Sequence, residues 1–396
     1  MKQSIERLCR IAGKNQRLII GLMSGTSLDG LDIALCRFTG SGPGCGVEIL
    51  AFETQAYDAD FKQEVRAVFS RRDVDLEKVC LLNAWIAKQH AAMVLKALES
   101  WNITPAEVDL LASHGQSIYH APKTLHGLEK FGNATLQIGD GDHLAMGTGI
   151  ITLSDFRQKH IAAGGEGAPL AVYGDYFVFS KSGEDRVMLN IGGIANFTWL
   201  PGDLNAKAVF STDTGPGNTL MDQYVQLHFN LPYDKNAAIA RSGTLSRPLL
   251  DALCDHSFFA KSFPKTTGPE LFNLAYLEAA IQKSGVKDLP HEDVMTTLNS
   301  FSAITIAEAI GKTTSKDKNF VVYTSGGGMH NPLLIAHLRA LLPQTSFHTT
   351  ESLQINPDAK EALLFAILAN ECVAGANTPV GSNVAGVSMG KVSFPE

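Results

Sequence analysis

Three features of the 396-residue sequence predict an α/β fold with two domains. Short apolar runs of strand length alternate with longer segments of helical periodicity. Glycines and small polar residues cluster where those runs end, which is where open α/β sheets place ligands. The length allows two to three domains at about 150 residues each, and two is the natural division. Composition agrees, because 45% hydrophobic and 18% charged residues are ordinary for a globular chain.

The elements follow in order. Residues 18–23 form a β-rich apolar run ending in Ser24-Gly25-Thr26-Ser27-Leu28-Asp29-Gly30, and the apolar run 31–38 follows at once, so the pair reads as a hairpin. A glycine-rich loop, 41–46, precedes a strand near 47–53. Residues 81–100 are apolar at intervals of three and four and read as a helix. Residues 108–113 are a buried strand ending in His114-Gly115-Gln116. A strand at 150–153 ends at Ser154-Asp155-Phe156-Arg157, before the cluster Gly164-Gly165-Glu166-Gly167-Ala168-Pro169. Strands 187–190 and 197–200 flank Ile191-Gly192-Gly193-Ile194-Ala195-Asn196. A strand at 209–212 ends in Asp213-Thr214-Gly215-Pro216-Gly217-Asn218. Helices are expected near 220–228, 269–283 and 301–312. A strand at 320–324 ends in Ser325-Gly326-Gly327-Gly328, and 359–372 is a last amphipathic helix.

Segments 20–35 and 189–200 echo one another as strand, glycine-containing turn, strand. Two hairpins are common in large α/β proteins. The alternative is a pair of similar domains, each presenting a turn to a shared cleft.

Several classes are disfavoured. With 33 Lys and Arg against 40 Asp and Glu, the net charge is −7, which argues against a nucleic-acid or anionic-membrane partner. Six scattered cysteines without a CxxC suggest reduced thiols in a cytoplasmic protein, with neither zinc site nor disulfide framework. Residues 1–17 lack the apolar core of a signal peptide, and no run reaches about 18 apolar residues. The sequence has no GxxxxGK[ST], no HExxH and no GxGxxG after a strand. Gly386-Val387-Ser388-Met389-Gly390 fits G-x-S-x-G, but no histidine follows it.

The turn Ser24–Gly30 carries two glycines, three hydroxyls and Asp29. Glycines let backbone N–H groups approach a phosphate. Asp29 could face phosphate only through Mg²⁺. A plain β-turn has the same composition. Asp213, at a strand end, could accept a proton from a hydroxyl or water, or could cap the following helix. Gly326, Gly327 and Gly328 leave a bare surface on which adenine or ribose could lie. His114, Gln116, Asp155, Arg157 and Lys265 could each bind an oxygen-rich ligand, the two cations an anionic one.

These residues, in this order, resemble the anhydro-N-acetylmuramic acid kinase family. The resemblance runs from Gly21-Leu22-Met23-Ser24-Gly25-Thr26-Ser27-Leu28-Asp29-Gly30-Leu31-Asp32 through the groups above and Pro264-Lys265-Thr266-Thr267-Gly268 to about residue 390. It implies a two-domain actin-like, hexokinase-like and Hsp70-like (ribonuclease H-like) ATPase fold with an interdomain nucleotide cleft. The first lobe would take 1–150 and about 357–396, the second 151–356. The implied enzyme cleaves 1,6-anhydro-N-acetylmuramic acid with water and phosphorylates O6 with ATP, in peptidoglycan recycling. Asp213 would be the base. Gly25 to Asp32 would hold ATP phosphates and Mg²⁺, with Asp29 as metal ligand. Asn190, Gly192, Gly193 and Gly326 to Gly328 would complete the ATP site. His114, Gln116, Asp155, Arg157, Lys265 and Glu361 would meet the sugar. A homodimer is implied by the resemblance alone. The sequence departs from the family at His160, Glu166 and Pro269, which bears on sugar preference. The alternatives are a kinase of another amino sugar and a non-sugar actin- or Hsp70-like ATPase.

Overall fold

The computed structural model describes residues 2–313, 319–381 and 386–396. It divides into two compact units, one of Met1–Ser180 with Asp358–Glu396 and one of Lys181–Pro357. The first unit therefore runs past the expected boundary at 150. The reason is local: residues 152–154 pair inside the first sheet, and the helix Ala171–Phe179 packs on the last helix of the same unit.

In the first unit, β1 (Gln16–Ser24), β2 (Gly30–Thr39) and β3 (Gly46–Ala56) form an antiparallel meander. β4 (Leu110–Ala121) lies parallel to β1 on its other side. β5 (Ala134–Ile138) pairs with the far end of β4, and β6 (Thr152–Ser154) continues the parallel side. The common order is β3-β2-β1-β4-β6. Ile20, Leu22, Leu31, Ile33 and Leu35 meet Ile86, Val94 and Leu98 of the helix Leu76–Ser100 in the core.

The other face of β1 carries the helix Lys360–Ala374. A Cβ at Gly21 would lie 1.9 Å from the Ala362 carbonyl, so only glycine permits this approach. The helix is not the half-exposed amphipathic one expected, because Ala362 through Glu371 are all buried.

The second unit repeats the plan. β7 (Asp185–Ile191), β8 (Ile194–Leu200) and β9 (Phe210–Pro216) form the meander. β10 (Phe320–Ser325) runs parallel to β7, and β11 (Ser346–Thr349) parallel to β10, giving the order β9-β8-β7-β10-β11. The helix His291–Thr313 covers this sheet. β12 (Lys391–Ser393) returns to the edge of the first sheet, antiparallel to β6. No helix among the described residues is long and apolar enough to cross a membrane.

Candidate functional site

The two echoed hairpins occupy the same place in the two sheets, between the first and second strands. In the first unit the turn has two kinds of residue. Thr26, Ser27 and Asp29 are exposed, and a Cβ at Gly25 would meet nothing closer than 3.6 Å. These are free to meet a ligand. Leu28 and Leu31 belong to the core, with Leu28 held at φ 59°, so their side chains anchor the turn instead. Gly30 is required by packing: a Cβ there would lie 2.4 Å from the Gln55 carbonyl.

Behind the turn lies a buried polar chain that the motifs did not reveal. His90 Nε2 lies 2.9 Å from the Tyr57 hydroxyl, which donates to Ser24 Oγ (2.7 Å). Ser24 donates to Gln116 Oε1 (2.5 Å), and Gln116 Nε2 donates to the Gly25 carbonyl (3.4 Å) and the Ser117 carbonyl (3.2 Å). Burial holds His90 at a pKa of about 3, so it is neutral and donates to Tyr57. Gln116 is 0% exposed. It supports the turn from inside.

His114 and Gln116 sit within β4, not beyond its end. Gly115, at φ 72°, lets the strand continue through a register shift against β1. His114 is buried against Phe365, with ring centroids 4.7 Å apart. Burial first, and the nearby Arg157 second, lower its pKa to about 3. Its Nε2 therefore accepts from Arg157 Nε (3.1 Å) and Nη2 (3.0 Å). Arg157 Nη1 donates to the Gly167 carbonyl (2.7 Å). Three of the five guanidinium N–H groups are thus engaged, and two have no partner among the described residues. Glu361, at the start of the helix Lys360–Ala374, is accessible, but its carboxyl is partly desolvated and raised in pKa. Asp32 adds to the rise, while Lys360 and Arg157 oppose it.

His160 holds the glycine loop. Its Nδ1 accepts from the Gly167 N–H (2.9 Å), and a Cβ at Gly165 would strike its ring. Glu166 is exposed. One oxygen of the Asp155 carboxylate pairs with Lys391 of β12.

In the second unit, Asp213 lies inside β9 rather than past its end. A bulge puts Thr214 out of register between the Ala195–Gly215 and Asn196–Asp213 pairs. Asp213 Oδ2 accepts from the Thr267 N–H (2.8 Å), while Oδ1 has no hydrogen-bond partner among the described residues. Partial burial raises its pKa, the Thr267 N–H opposes the rise, and Glu270 adds to it. The helix-cap alternative is not observed. The N–H groups of Gly217, Asn218 and Thr219 instead reach the Gly192 and Gly193 carbonyls (2.8–3.0 Å).

Asn190 and the glycines of the second unit converge. A Cβ at Gly326, φ 80°, would lie 2.6 Å from Asn190 Oδ1, and one at Gly328 would lie 2.2 Å from Ile191. Only Gly327 of the three turns an exposed face outward. Lys265 departs most from expectation. It is 7% exposed and faces Phe258, Phe259 and Phe263, not solvent. The Phe-Phe pair and Phe263 lie within eight positions of it in the sequence, which was the available signal.

Two units share one strand order, three antiparallel strands followed by two parallel ones, each with a glycine turn after its first strand, and so define a duplicated α/β fold. A model of the family "Anhydro-N-acetylmuramic acid kinase" matches residues 17–391. A relative of that name from Pseudoalteromonas atlantica is 57% identical, and one from Pseudoalteromonas translucida 55%, each over 100% of both chains. One from Caldanaerobacter subterraneus subsp. tengcongensis is 36% identical over 98% of this chain and 100% of its own. The chain belongs to the anhydro-N-acetylmuramic acid kinase family and is a kinase.

Proposed function

We propose that this kinase opens 1,6-anhydro-N-acetylmuramic acid with water and phosphorylates O6 with ATP. The products are N-acetylmuramic acid 6-phosphate and ADP, and the reaction serves peptidoglycan recycling. The observation that carries the reading is the Asp213 carboxylate, with one oxygen fixed by the Thr267 N–H and the other unpartnered. Oδ1 accepts a proton from water as the water oxygen bonds to C1. The C1–O6 bond breaks, and O6 attacks the γ-phosphorus as the bond to ADP breaks. Phosphoryl transfer asks the protein mainly for positioning and charge stabilisation.

The turn from Gly25 to Asp29 is assigned to the ATP phosphates, through backbone N–H groups and the Thr26 and Ser27 hydroxyls. Mg²⁺ fits beside it. Asp29 offers one exposed carboxylate, and Asp32 is tied to the Thr54 hydroxyl (2.5 Å). Among the described residues no group of three or more His, Cys, Asp or Glu side chains could hold a metal ion by itself. One carboxylate completed by phosphate oxygens is the usual Mg²⁺ arrangement, and the ion supplies charge neutralisation between phosphates. Gly192, Gly193, Asn190 and Gly327 are assigned to the remaining nucleotide contacts. The two unengaged N–H groups of Arg157 suit the sugar's lactyl carboxylate, with His114 orienting the guanidinium and Glu361 beside it.

The test is a substrate panel. With ATP and Mg²⁺, phosphate should pass to the anhydro sugar far faster than to N-acetylmuramic acid or N-acetylglucosamine. Turnover of another amino sugar with none of the anhydro sugar would contradict the reading.

A further inference from the structure

Lys265 was expected at the sugar, yet its ammonium is buried among aromatic rings. Nζ donates to the Phe258 carbonyl (3.1 Å). It lies 4.3, 5.6 and 5.4 Å from the ring centroids of Phe258, Phe259 and Phe263. Aromatic faces can replace part of the hydration an ammonium loses on burial. Burial lowers its pKa, as do Lys312 and Lys261, while Glu308 opposes this.

The backbone around this anchored side chain is paired to β9 at the catalytic carboxylate. The Lys265 N–H donates to Thr212 Oγ1 (3.0 Å), and the Asp213 N–H donates to the Lys265 carbonyl (3.0 Å). Two residues further on, the Thr267 N–H reaches Asp213 Oδ2 (2.8 Å). The segment 264–267 thus lies along β9 at Asp213, and the one side chain that fixes it deeply is Lys265.

We propose that Lys265 is a positioning residue for Asp213: its ammonium, lodged among Phe258, Phe259 and Phe263, pins the segment whose Thr267 amide holds one oxygen of the Asp213 carboxylate. The proposal rests on the reading of Asp213 as the base. Without the pin, the Thr267 amide drifts and the carboxylate loses a charge-assisted hydrogen bond, which favours its protonated form. Small misplacements of a catalytic group cost up to about 100-fold in rate. The charged groups facing Asp213 and Lys265 are Glu270, Lys261, Glu308 and Lys312, and none is altered in the variants below.

Lys265→Met, Lys265→Arg and Phe258→Leu are compared with the unaltered protein by pH profiles of kcat and KM with the anhydro sugar and ATP. Lys265→Met should lower kcat by about 10- to 100-fold, leave the sugar KM within about twofold, and move the acid limb of kcat to higher pH. Lys265→Arg, which keeps a cation over the rings, should restore most of both. Phe258→Leu should move the acid limb the same way by less, and this variant decides the matter should Lys265→Met not fold. A raised sugar KM with unchanged kcat and acid limb in Lys265→Met would overturn the proposal and return Lys265 to the sugar. An unmoved acid limb in Phe258→Leu would also count against it. Asp213→Asn separates the two levels. Retained turnover there removes the base reading. A dead Asp213→Asn beside an unmoved Lys265→Met profile removes the positioning proposal alone.

Discussion

Partial burial keeps the Asp213 carboxyl above the ordinary aspartate range, against the Thr267 N–H that stabilises its ionised form. A base must be ionised, so kcat/KM should fall as pH drops through this raised pKa, starting at a higher pH than for a solvated aspartate. The stability consequence has the opposite sense. The folded state binds this proton more tightly than the unfolded chain, so stability declines as pH rises from the unfolded aspartate range through the folded pKa. Asp213→Asn should therefore lose about 10²- to 10⁴-fold in kcat and keep ATP affinity. Its Tm at neutral pH should stay level or rise, by no more than about 2 °C. Rate assays, nucleotide titration and a thermal melt check the three parts. Asp213 stood out in the sequence as a candidate base because its motif is a chemical one, a carboxylate followed by Thr-Gly-Pro-Gly-Asn. The placements of Lys265 and Gln116 were not legible, because residue type says what a side chain can bind and not whether a cage of phenylalanines or a buried serine has already engaged it.

Within the first sheet, the turn after β1 is held by a chain that starts on the helix Leu76–Ser100 and ends on β4. Tyr57→Phe removes the hydroxyl joining His90 to Ser24 and leaves His90 buried without its partner. An unsatisfied buried group costs about 1–3 kcal/mol. The variant should unfold earlier in urea by that amount. It should also raise the KM for ATP several-fold while the sugar KM holds, because the loosened turn is the one assigned to phosphates. Equal ATP affinity in a destabilised variant would confine the chain to a structural role. Element types were largely readable from periodicity, and their ends were not. β4 continues through His114-Gly115-Gln116 because a positive-φ glycine and a register shift absorb the irregularity. The helix expected at 301–312 spans His291–Thr313. Its early turns bury Thr297, Asn299 and Ser300, polar residues that hide the apolar period. The helix expected from 269 begins at Leu274, where the Asn273 side chain accepts from the Tyr276 N–H.

Across the whole chain, the echo between two hairpins half a sequence apart corresponds to a repeated strand order, with a separate core in each unit. Only the first hairpin of each unit was legible as a repeat, because the third to fifth strands differ in length and spacing. The charge of −7 argued against polyanion partners and was silent on small anions. Exposed hydroxyls, glycine N–H groups and a guanidinium with two donors unpartnered among the described residues are local features that net charge does not report. The central claim, that water activated at Asp213 opens the sugar ring while O6 takes the phosphate, is tested most directly by turnover in ¹⁸O-labelled water with mass spectrometry of the product. The label should appear in the C1 hydroxyl, with the phosphate oxygens unlabelled. A phosphorylated product carrying no ¹⁸O at C1 would contradict it.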